Sequence, residues 1–129
     1  MAADPSRPIR VLIVEDTADS RDMYMEFLGA NGYQVTGAED GLQALRVADA
    51  TVPDLVVLDV ALPKLDGFTV LRRLRKDPRF ARTPILTLSA SVANDYRDQA
   101  MRAGATDALE KPCLPDELLE AVRKALREA

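Results

Sequence analysis

The sequence predicts a single α/β domain built on a five-stranded parallel sheet with helices on both faces. Three observations carry that prediction. Short continuous apolar runs recur that are too brief for helices, amphipathic segments lie between them, and an acid or hydroxyl repeatedly ends the run. Runs that are apolar throughout, rather than alternating, belong to strands buried on both faces.

Ile9 to Val14 is the first such run, and it stops at Glu15-Asp16, which places two acids at the carboxyl end of a strand. Thr17 is the expected cap of a helix from Ala18 to Ala30, where Met23, Phe27 and Leu28 recur at helical spacing before Asn31-Gly32 ends it. Tyr33 to Gly37 reads as a second strand and Asp40 to Ala50 as a second helix, with Leu42, Leu45 and Val47 on its apolar side. Asp54 to Leu58 is again a buried strand and again ends at an acid, Asp59. Asp66 caps a helix through Phe68, Val70, Leu71 and Leu74, closed at Asp77-Pro78 because proline disfavours the helical conformation in its predecessor. Pro84 to Leu88 is the fourth strand, with Ser89 at its end. A fourth helix runs from about Val92 to Ala103 and stops at Gly104. Thr106 to Leu109 leads as a fifth strand into Glu110-Lys111-Pro112, and Pro115 starts a last helix to about Glu128. Strict alternation with right-handed crossovers predicts a doubly wound, flavodoxin-like sheet of order 2-1-3-4-5. Its ligands bind beyond the carboxyl ends of the strands, at the switch point between the first and third. Residues 9–129 are expected to form this domain, and Met1 to Pro8, with two prolines, a flexible tail.

Composition narrows the chemistry. The formal charge is 17 − 21 = −4, and no Lys/Arg run interleaved with aromatics occurs, so direct nucleic-acid binding is not expected. The apolar runs are too short to cross a bilayer, and Met1 to Pro8 lacks the apolar stretch of a secretory signal, so no membrane association and a cytoplasmic location are expected. Cys113 is the lone cysteine and reads as a small apolar residue. There is no histidine, which removes Ser-His and Cys-His nucleophile pairs and leaves carboxylates, hydroxyls and lysine.

Those groups gather at one sheet edge. Glu15, Asp16 and Asp59 bring three negative charges there and Lys111 one positive charge, and a hard divalent cation with oxygen ligands, magnesium, is the expected neutraliser. A carboxylate in that setting can attack phosphorus, and phosphoryl transfer needs mainly positioning and charges that match the transferring oxygens. Asp59 is the candidate nucleophile, with Lys111 and Ser89 as the ammonium and hydroxyl that meet those oxygens. Taken singly, each residue has a plainer reading: Asp59 as a solvated strand-end acid or helix cap, Glu15-Asp16 as caps, Ser89 as a turn residue, Lys111 as a surface charge. The joint pattern, spread over the ends of strands one, three, four and five, is what favours a site.

These residues bring out a family likeness. From about Arg10 to Ala125 the sequence resembles a response-regulator receiver domain, through Val14-Glu15-Asp16, Asp59 followed by Leu62-Pro63 and Asp66-Gly67, Ser89-Ala90, Gly104-Ala105 and Lys111-Pro112. The resemblance implies a two-component or phosphorelay signalling protein in which Asp59 is the phosphoacceptor. It implies Asp16, Asp59 and the backbone carbonyl of Ala61 as magnesium ligands, with Glu15 holding the metal's waters. Ser89 and Lys111 would contact the phosphoryl oxygens, and the Lys111-Pro112 bond would be cis. The donor would be a phosphohistidine on a sensor histidine kinase or histidine phosphotransfer protein, and a downstream protein would read the face of the fourth helix, fifth strand and fifth helix. Such a chain is not a dedicated enzyme, although it catalyses its own phosphorylation and slow dephosphorylation.

The sequence departs from the family in places. The position where many receivers carry a switching Tyr or Phe, three residues before the lysine, is Ala108, which has no rotamer to switch. The segment after the fourth strand is therefore expected to carry the signal. The helix position ten residues after the lysine, often an Arg pairing with the acid at 107 in dimeric receivers, is Ala121, so a monomer or weak dimer is expected. Ala61 and Ser91 occupy the positions that tune loss of the phosphoryl group, and neither side chain is a carboxamide able to orient water. Slow dephosphorylation is the expectation. The chain is expected to carry the receiver alone, without an output domain. Two other functions fit parts of the pattern: a phosphorylation-independent pseudo-receiver that only docks, suggested by Ala108, and an aspartyl-phosphate phosphohydrolase, which calls for an acid where Ala61 stands.

Overall fold

A computed structural model describes residues 7–90 and 94–129 of the chain. The strands are β1 (Arg10–Val14), β2 (Gln34–Ala38), β3 (Leu55–Asp59), β4 (Ile85–Ser89) and β5 (Asp107–Glu110). Between and after them come α1 (Ala18–Ala30), α2 (Gly41–Thr51), α3 (Gly67–Lys76), α4 (Asn94–Ala103) and α5 (Pro115–Glu128). The strands form one parallel sheet in the order β2-β1-β3-β4-β5, the doubly wound topology that the alternation predicts. The Ser91 position, the first residues expected in the fourth helix and residues 1–6 of the expected tail lie outside the described residues.

Strand periodicity sorts the core into two layers. On β1, Leu12 and Val14 join an apolar cluster with Ala44, Val70, Leu71 and Phe80, while Val11 and Ile13 join the other cluster with Tyr24, Leu28, Leu118 and Val122. These four β1 residues are fully buried, each worth roughly 1.5–3 kcal/mol of apolar transfer, and a slip of one residue would send each set into the layer packed for the other.

Several local expectations shift. Strands β3, β4 and β5 each end one residue later than the apolar run, because a parallel ladder is made by the backbone and continues beneath a polar side chain: Asp59 pairs with Leu88 and Ser89 with Glu110. Thr17 precedes α1 but makes no side-chain cap, whereas Asp40 accepts from the Gln43 N–H at 2.8 Å and Asp66 from the Thr69 N–H at 3.0 Å. The buried residues of α1 are Tyr24 and Leu28, and Met23 is 42% exposed. On α2 the buried face is Gly41, Ala44 and Ala48, small residues that let the helix lie close to the sheet, so Leu42 is left exposed and Leu45 and Val47 only flank the core. After Asp77 a single 3-10 turn, Pro78–Phe80, turns the Phe80 ring into the core, which the helix-stop reading alone did not anticipate.

Candidate functional site

The register explains why the acids meet. Val14 pairs with Leu58, so the residue after each strand's last apolar position, Glu15 on one side and Asp59 on the other, emerges at the same level of the sheet edge. A carboxylate oxygen from each of Glu15, Asp16 and Asp59 lies within 4.8 Å of the others. Glu15 and Asp59 are 1% and 3% exposed, while Asp16 faces solvent, so the cluster is open on one side only.

Asp59 is held by both oxygens: Oδ1 accepts from the Ala61 N–H at 2.9 Å, and Oδ2 from Lys111 Nζ at 2.6 Å. Lys111 Nζ also donates to Glu15 Oε1 at 2.8 Å, and the Thr17 N–H reaches Glu15 Oε2 at 3.4 Å. The lysine backbone is tied to the neighbouring strand, its N–H donating to the Ser89 carbonyl at 2.7 Å. Ser89 itself is half-buried at the end of β4, and the Lys111-Pro112 bond is cis, in agreement with what the resemblance implies. The Gly67 N–H donates to the Val60 carbonyl at 3.1 Å, and the start of α3 packs directly on the Asp59-Val60 backbone.

One lysine does not balance three acids. Burial, reinforced by the hydrogen bond with Asp59, pushes the Glu15 carboxyl up to about 7, although the bond from Lys111 pulls the other way. Burial also disfavours the Lys111 ammonium, but its bonds to Asp59 and Glu15 outweigh that and raise its pKa above the usual lysine value. The two shifts have different causes: burial first of all disfavours a charged Glu15, while the bonds to Asp59 and Glu15 hold the proton on Lys111. A cluster of hard oxygen donors in that state fits a divalent cation such as magnesium.

The expected residues Glu15, Asp16, Asp59, Ala61, Ser89 and Lys111 all reach this edge. Ala108 lies apart, half-buried on β5 opposite Thr87. Its carbonyl accepts from Arg97 Nη1 at 2.9 Å, and Arg97 Nη2 pairs with Asp107 at 3.1 Å, so α4 is tied to β5 beside the position that lacks an aromatic. Sequence reasoning missed Arg97, and also Arg21 and Tyr24 on α1. Arg21 Nη1 donates to the Glu15 carbonyl at 2.8 Å and the Tyr24 hydroxyl to the Cys113 carbonyl at 2.7 Å. The acceptors are backbone carbonyls, which leave no mark in a sequence.

Comparison with known proteins agrees with this fold. Residues 11–123 match the family model described as the response regulator receiver domain. The DNA-binding dual master transcriptional regulator RpaA of Synechocystis is 42% identical over 118 residues, covering 92% of this chain and 49% of that protein. Response regulator MprA of a Mycobacterium species is 42% identical over 120 residues, covering 93% of this chain and 51% of the relative. The chain thus spans about half the length of these two regulators. Among solved structures, the chemotaxis response regulator CheY4 of Vibrio cholerae superposes with a TM-score of 0.88 at 31% identity, covering 92% of this chain and 99% of that one. No helix among the described residues is long and apolar enough to cross a membrane. The chain belongs to the response regulator receiver domain family.

Proposed function

We propose that this chain is a phosphoacceptor switch in which Asp59 takes a phosphoryl group from a phosphohistidine on a sensor histidine kinase or histidine phosphotransfer protein. The observation that carries this reading is Asp59, nearly buried, held by Lys111 at 2.6 Å and flanked by two further acids at the carboxyl edge of a doubly wound sheet. An Asp59 oxygen bonds to phosphorus as the phosphorus–nitrogen bond breaks, and the donor imidazole leaves with that electron pair and takes up a proton. Glu15, Asp16 and Asp59, with the Ala61 carbonyl, are the residues that would hold magnesium, whose charge offsets that of the phosphoryl oxygens. Lys111 and Ser89 meet those oxygens, Lys111 exchanging its present contact with Asp59 for one with the phosphoryl group.

The added charge draws Ser89 and Lys111 inward, and a downstream protein reads the face of α4, β5 and α5. Ala108 contributes no aromatic switch. Asp107, already engaged by Arg97 of the same chain, favours a monomer or weak dimer over a salt-bridged one. The whole system is cytoplasmic in this reading.

Incubation with magnesium and acetyl phosphate separates the possible functions. One phosphoryl group retained per chain supports the switch. Continuous release of phosphate from many equivalents of donor would mark a phosphohydrolase, and an unmodified chain a docking module. The short side chain of Ala61, exposed and without a carboxamide, gives the further expectation that the phosphorylated protein outlasts the first minutes after donor removal. A lifetime of seconds in the isolated protein would contradict it.

A further inference from the structure

The hydroxyl of Tyr24 is a polar atom set in an apolar cluster with Leu28, Leu118, Leu119 and Val122, and the residue is only 4% exposed. A phenylalanine ring would fill the same space without carrying an oxygen into it, and burying that oxygen is unfavourable unless it is bonded. It is bonded, to the carbonyl of Cys113 at 2.7 Å, across 89 residues of sequence. Burial raises the phenol's pKa, so the group stays a donor throughout the neutral range.

Cys113 lies two residues beyond Lys111, where the chain has left β5 and not yet entered α5. The backbone that carries the lysine is therefore fixed on both sides: by the Lys111 N–H on the Ser89 carbonyl before the turn, and by Tyr24 after it. On the same helix, three positions earlier, Arg21 grips the carbonyl of Glu15. Residues at this spacing share one helical face, so one side of α1 holds both the strand end that bears the acids and the turn that bears the lysine.

We propose that Tyr24 is a positioning residue for phosphoryl transfer, acting through the Cys113 carbonyl to set where Lys111 Nζ stands relative to Asp59 and Glu15. The proposal rests on Lys111 contacting the transferring phosphoryl group. A lysine is a point charge on a flexible four-carbon stem, so its reach is set by where its backbone is anchored. Without the hydroxyl the turn is tied at one end only, and the ammonium samples positions in which it misses the phosphoryl oxygens.

The test uses the full chain with magnesium and acetyl phosphate, and follows the rate of phosphorylation by intact mass in four proteins: wild type, Tyr24→Phe, Lys111→Ala and the double variant. Tyr24→Phe is expected to slow the reaction by on the order of tenfold, part of the roughly hundredfold that a misplacement of a full ångström can cost. In the Lys111→Ala background it is expected to cost nothing further, and magnesium affinity, read by calorimetry, is expected not to change between wild type and Tyr24→Phe. A Tyr24→Phe rate equal to wild type overturns the proposal, and so does an equal loss in both backgrounds, which would mark general damage. If Lys111→Ala reacts as fast as wild type, the reading of the lysine itself has failed, an outcome distinct from either.

Discussion

Gly67→Ala is expected to lower the unfolding free energy by about 3 kcal/mol, the upper part of the range for forced overpacking, and to slow phosphorylation of Asp59 with it. A Cβ at this position would collide with the carbonyl oxygen of Asp59 and lie 2.5 Å from Cα of Val60. Those are backbone atoms of β3 and its exit, and no side-chain rotation relieves them. Either α3 withdraws, breaking the bond from the Gly67 N–H to the Val60 carbonyl, or the end of β3 is pushed from its place in the ladder with Leu88. Both movements displace the carboxylate that sits at that strand end. Gly29, on α1 with nothing within 4 Å of its added Cβ, is the control: Gly29→Ala is expected to be neutral or to gain up to about 1 kcal/mol from helix propensity. Urea unfolding of the two variants checks the pair, and similar midpoints would contradict the close-approach account.

Lys111→Ala is expected to slow phosphorylation by on the order of a hundredfold, the scale for removing one preorganised electrostatic contact from a transition state. Its effect on stability is the smaller one. Removing one partner of a buried ion pair commonly costs about 3–5 kcal/mol because a bare charge is left behind. Here Glu15 can instead take up a proton, its carboxyl already pushed up to about 7 by burial and by Asp59, and Lys111 is itself about one quarter exposed. The loss in the metal-free protein is therefore expected to be nearer 1–2 kcal/mol, recovered as magnesium is added by mass action on the folded state. Paired measurements of phosphorylation rate and of unfolding with and without magnesium check both parts. A variant that loses several kcal/mol yet keeps its rate would reverse the assignment of what this lysine does.

The parts of the fold that were legible are those a single strand or helix states by itself. Uninterrupted apolar runs such as Val11 to Val14 and Leu55 to Leu58 announce strands buried on both faces, and the parallel order then brings their carboxyl ends together. That is why the sequence alone gathers Glu15, Asp16, Asp59, Ser89 and Lys111 at one edge. What was not legible depends on backbone partners or on packing distance. Alanine and glycine carry little hydrophobic signal, so the face of α2 built from Gly41, Ala44 and Ala48 lost to the louder Leu42. Met23 has an apolar side chain yet lies exposed, one position before the tyrosine that is buried. The bonds from Arg21 to the Glu15 carbonyl, Tyr24 to the Cys113 carbonyl and Arg97 to the Ala108 carbonyl have acceptors that every residue possesses, so side-chain identity cannot point to them. The groups at the site were therefore easier to read than the groups that hold them in position.

Whether Asp59 accepts the phosphoryl group with the help of a divalent cation held by its acidic neighbours is tested most directly by intact-mass and peptide-level measurement of wild type and Asp59→Asn, each incubated with acetyl phosphate with and without magnesium. The expected result is one added phosphoryl group in the wild type, located on the peptide that contains Asp59, dependent on magnesium and missing from Asp59→Asn. Equal modification of Asp59→Asn, or a wild-type chain left unmodified in the presence of magnesium, would contradict the account.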